Sequence, residues 1–67
     1  MQGLKWGDVQ DIAVALADTH STVDPRYVNF VELHRWIIAL PEFADDPSRG
    51  GEKVLEAIQA AWIEEMD

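Results

Sequence analysis

"NFVELHRWIIAL", residues 29–40, decides the fold. Plotted at about 100° per residue, Phe30, Val31, Leu33, Trp36, Ile37, Ile38 and Leu40 cover more than half of a helix circumference. Only Glu32, Arg35 and Ala39 face the other way, and Pro41 stops the run. The spacing predicts a helix over 29–40 that is the central, most buried element.

Upstream, the pattern from about Asp8 to Asp18 is also helical. Val9, Ile12, Ala13 and Leu16 form a narrow apolar stripe, and Asp8, Asp11 and Asp18 form an acidic strip on another side. Asp8 is the expected N-cap, with Asp11 placed where a capping partner reaches back. "STVDPRYV" connects the two helices, and Asp24 before Pro25 predicts a short helical turn there. Downstream, a third helix is expected from about Glu52 to Glu65. Its Val54, Leu55, Ile58, Ala61 and Trp62 should pack on the second, leaving Glu52 and Glu56 outside beside Ile63. No segment alternates as a strand does, and no repeat is present. The expected fold is all-α: one domain over residues 1–67, with three principal helices plus a short helical turn.

Composition narrows the function. A 67-residue chain with 48% hydrophobic residues and three Trp has enough apolar material for one small core. Five Lys and Arg oppose thirteen Asp and Glu, giving a net charge of −8. That balance repels nucleic acid, whose affinity rests on Lys and Arg displacing phosphate counterions. It favours basic protein surfaces or cations. Without Cys there is no disulfide, no thiolate nucleophile and no cysteine-ligated cluster. The longest apolar run is interrupted by Glu32, His34 and Arg35 and is too short to span a bilayer. "MQGLKWGD" at the start lacks the apolar segment of a secretory signal, so a soluble cytoplasmic protein, free of membrane, is expected.

Candidate chemistry concentrates in "FADDPSRGGEKVLE", residues 43–56. Set on a calcium-loop pattern, Asp45, Gly50 and Glu56 take positions one, six and twelve, but Pro47 and Arg49 occupy two ligand positions, so this is no EF-hand. The simpler reading is that Asp46-Pro47 starts a turn and Gly51 loosely caps the third helix. Asp45 and Asp46 remain available for weak cation binding. Asp8 and Asp11, one turn apart, could share an ion, whereas Asp11 and Asp18 lie about 10 Å apart along a helix, too far to chelate together. Such all-oxygen sites hold ferrous iron loosely. His34, between Phe30 and Ile38, is expected to be a buried or half-buried side chain with one hydrogen-bond partner, and nothing in the spacing brings His20 to it. No nucleophile–base pattern, phosphate loop or H-E-x-x-H is present, and the chain does not read as an enzyme.

The segments together resemble the IscX family, small acidic proteins of bacterial iron–sulfur cluster assembly. "LKWGD", "DPRYVNFVELHRWI", "FADDP" and "EKVLEAIQAAWIEE" carry the resemblance over nearly the whole length, with Trp6, His34, Trp36 and Trp62 in register. Gly7 stands where the family often has Thr, and Gly50-Gly51 where it often has Ser-Asn, which should weaken helix capping. The resemblance implies a modified winged-helix fold, binding to the cysteine desulfurase in competition with frataxin, and weak ferrous-iron binding through acidic residues. It implies no iron–sulfur cluster held by this chain. On that footing the expected role is an acidic adaptor that tunes cluster assembly. Asp8, Asp11, Glu32, Asp45, Asp46, Glu52 and Glu56 would meet the partner, and Asp8, Asp11, Asp45 and Asp46 would hold iron. The alternatives are an iron chaperone whose main task is delivery, and a winged-helix nucleic-acid module.

Overall fold

A computed structural model describes residues 3–67; Met1 and Gln2 of the opening stretch lie outside them. Three α-helices follow in order, α1 (Val9–Thr19), α2 (Phe30–Ile38) and α3 (Glu52–Met66). A 3₁₀ turn at Pro25–Tyr27 lies between α1 and α2, where Asp24-Pro25 predicted it. A second 3₁₀ turn, Pro47–Arg49, precedes α3. The described residues hold no strand, only an isolated parallel bridge between Leu4 and Phe43, so the fold is all-α as expected. Among the described residues no helix is long and apolar enough to cross a membrane.

Each helix delivers one stripe to a common core. Ile12, Ala13 and Leu16 come from α1, Leu33 and Ile37 from α2, and Leu55, Ile58 and Trp62 from α3. Leu4, Trp6 and Leu40 close it from the flanking segments, and no polar or charged side chain is buried among the described residues. The shortest dimension is 16 Å, little more than one helix diameter, so each helix keeps a face toward solvent. α2 has the fewest exposed residues of the three helices, Val31 and Arg35, as expected of the most buried element, yet its apolar arc is not wholly covered. Val31 on its outer side is 68% exposed, and Phe30, Trp36 and Ile38 are only half-buried. A helix whose apolar arc exceeds half its circumference cannot bury all of it in so thin a body.

The helix ends also differ from the pattern. Asn29 caps α2, its Oδ1 accepting from the Glu32 amide at 2.8 Å. The helix ends at Ile38 rather than Leu40, because the backbone tightens before Pro41: the Leu40 amide donates to the Ile37 carbonyl at 3.1 Å. Asp8 occupies the N-cap position of α1 but makes no side-chain cap bond there. Its carboxylate turns back and accepts from the Lys5 amide at 2.9 Å, stabilising the turn that leads into the helix. Gly51, the N-cap of α3, has no side chain to accept from the first-turn amides, which agrees with the weak cap expected from its sequence.

Candidate functional site

The acidic 43–51 loop is held in place by Leu4, Lys5 and Trp6. Trp6 is 6% exposed. Its Nε1–H donates to the Asp46 carbonyl at 2.7 Å, and its backbone amide donates to Asp45 Oδ2 at 3.0 Å. The indole stacks on His34, with centroids 5.5 Å apart, and meets Phe43 edge-on at 4.9 Å. His34 Nε2 in turn lies 2.7 Å from the Pro47 carbonyl; a carbonyl only accepts, so this nitrogen carries the proton. His34 is thus the half-buried histidine with one hydrogen-bond partner that the sequence predicts. Lys5 adds a bond from Nζ to the Ala44 carbonyl at 3.0 Å.

Within the loop the two carboxylates organise the backbone. Asp45 Oδ1 accepts from the Asp46 amide at 2.7 Å. Asp46 Oδ1 accepts from both the amide and the hydroxyl of Ser48, at 3.0 and 2.8 Å, and so caps the 3₁₀ turn. The predicted Asp46-Pro47 turn is therefore present. Donated hydrogen bonds favour the charged form. The Trp6 amide, then the Asp46 amide, hold the Asp45 carboxyl below the ordinary carboxylate value. The Ser48 amide and hydroxyl do the same for Asp46. Both groups are firmly ionised near neutral pH, and Asp46 is exposed.

The remaining acidic residues divide among other surfaces. Asp8 joins the loop indirectly, since it and Asp45 accept from the consecutive amides of Lys5 and Trp6. Asp11 is exposed on α1. Glu32 lies in the first turn of α2, 3.4 Å from Arg35 Nη1. Glu52 and Glu56 are exposed on α3. No group of three or more His, Asp or Glu side chains is placed to hold a metal ion among the described residues. Those described residues thus form no enclosed cation site, and the carboxylates singled out by the sequence lie at or near the surface. The sequence put Trp6 in register with the family and Gly50 at a departure from it, and gave the structural role of neither. Both belong to the clamp that Trp6 forms on the 43–51 loop through its amide, its Nε1–H and its ring, for a Cβ on Gly50 would lie 2.5 Å from Cη2 of that ring. The second histidine is elsewhere: His20 stacks on Trp36, centroids 4.3 Å apart.

Residues 4–67 match the family model described as iron–sulphur cluster assembly. An uncharacterized protein of Pseudomonas aeruginosa is 69% identical over 64 residues, which cover 96% of this chain and 97% of that protein.

Proposed function

The chain belongs to the iron–sulphur cluster assembly family, the IscX family that its motifs resemble, and from that premise we propose that it is an acidic adaptor for the cysteine desulfurase. The observation that carries this reading is the disposition of charge: a net charge of −8 with, among the described residues, no charged side chain in the core. The Asp45-Asp46 loop supports it further, as a preorganised, ionised edge that a basic surface can meet without ordering a flexible segment first. Asp8, Asp11, Glu32, Glu52 and Glu56 extend the same potential over the faces of the helices. Such complementarity speeds association and makes it sensitive to salt. Ferrous iron is a second, weak ligand, held by Asp45, Asp46, Asp8 or Asp11 together with water. The adaptor occupies the desulfurase surface that frataxin also uses.

A pull-down against the desulfurase at low and moderate salt, with frataxin as competitor, tests the proposal. Binding should weaken with salt and with added frataxin. Asp45→Lys combined with Asp46→Lys should lower retention at least about tenfold, as expected when two attractive contacts become repulsive. Undiminished binding by that variant overturns the assignment of the loop. An iron chaperone would instead saturate near one ferrous ion per chain, with NMR broadening confined to one carboxylate cluster.

A further inference from the structure

Between α1 and the corner that follows α2 runs a groove of about 450 Å³. Its apolar lining includes Val14, Leu40 and Pro41, and its rim carries Asp11, Asp18 and Glu42. Val14 is 40% exposed although it sits mid-helix. Asp11, Val14 and Asp18 share one side of α1 by their i, i+3, i+7 spacing. The two aspartates therefore bracket the apolar patch at about 10 Å along the helix. None of the three rim carboxylates forms an ion pair among the described residues, and no Lys or Arg lines the groove. An apolar floor inside an uncompensated acidic rim is complementary to one chemistry in particular. We infer that this groove docks a segment of a basic protein that presents one or two large apolar side chains flanked by Lys or Arg. The inference rests on the adaptor reading and deepens it. It adds a second contact, distinct from the Asp45-Asp46 loop, in which apolar burial supplies the selectivity that charge alone lacks.

Two probes test it on the full chain. The first is a synthetic peptide with two leucines between lysines, compared with a control whose leucines are serines. The leucine peptide should shift amide signals of residues 11–18 and 40–42 and bind at least about tenfold tighter than the control, the effect expected for burying most of one leucine side chain. The second probe is the desulfurase. Val14→Gln, at an exposed position that should leave the fold intact by circular dichroism, should weaken both the peptide and the desulfurase by a similar factor. Asp45→Lys with Asp46→Lys should leave the leucine preference of the peptide unchanged. Equal affinity for both peptides, or shifts spread evenly over α3, overturns the groove even if the desulfurase binds. A leucine-selective, Val14-dependent peptide site with no desulfurase binding upholds the groove and removes the adaptor reading instead.

Discussion

Gly50 is under a constraint that its neighbour Gly51 escapes. A methyl group on Gly50 meets the Trp6 indole at 2.5–3.0 Å, and that ring cannot swing aside while it is bonded to the Asp46 carbonyl and stacked on His34. Gly50→Ala should therefore destabilise the chain by about 1–3 kcal/mol, the usual cost of forcing a methyl into packed space. At Gly51 nothing lies within 4 Å of an added Cβ, and the residue stands at the N-cap of α3. Gly51→Asp should stabilise by a few tenths of a kcal/mol, about what separates Gly from the best caps. Urea denaturation of both variants checks the pair, and equal destabilisation would show that Trp6 is not held as described.

At the scale of elements, α2 works as a strut between two otherwise separate loops. His34 and Trp36 are two positions apart, about 200° around the helix, and so face opposite ways. His34 holds the Asp46-Pro47 turn through the Pro47 carbonyl, and Trp36 holds the α1–α2 connector through His20. Gln59 of α3 completes that second attachment, its Nε2 donating to the carbonyls of Pro25 and Val28 at 2.8 and 3.1 Å. The acidic loop should weaken in acid. Asp45 and Asp46 have folded pKa values below their unfolded ones, so their hydrogen bonds contribute fully above about pH 4, near the ordinary carboxylate value. That contribution is lost as pH falls through the lower folded values. Asp45→Asn with Asp46→Asn should be less stable than the parent at pH 7, and the gap should narrow as pH drops below that point. Denaturation midpoints measured from pH 7 to pH 2.5 check this, and a constant gap would contradict it. The helices themselves were legible from apolar spacing because that signal is local and repeats every turn. The clamp was not, because Trp6 and Asp45 are 39 positions apart and meet through a backbone amide that leaves no side-chain pattern. Asp8 shows the same limit at short range. Its type marks a helix start, but not whether its carboxylate bonds forward into α1 or back to Lys5.

Over the whole molecule, thirteen acidic and five basic residues share the surface of a body only 16 Å thick. The two ion pairs among the described residues, Asp24–Arg26 and Glu32–Arg35, are exposed and join residues two and three positions apart. Such pairs contribute little to stability, so screening them sacrifices little. Repulsion among the remaining carboxylates acts on the compact state at every range up to the screening length. Salt should therefore stabilise this protein. Raising sodium chloride from about 10 to about 300 mM should add roughly 0.5 kcal/mol, which for a domain this small is about 2–4 °C in midpoint. Over that range the same screening should weaken docking to a basic partner, because the field that strains the free chain draws the partner in. Thermal melts and desulfurase affinity, measured on one salt series, should thus move in opposite directions. A midpoint that falls with salt would mean that attractive pairs outweigh repulsion. The repulsion among the carboxylates would then be too weak to strain the free chain, and the field proposed to draw in a positively charged surface would lose its support.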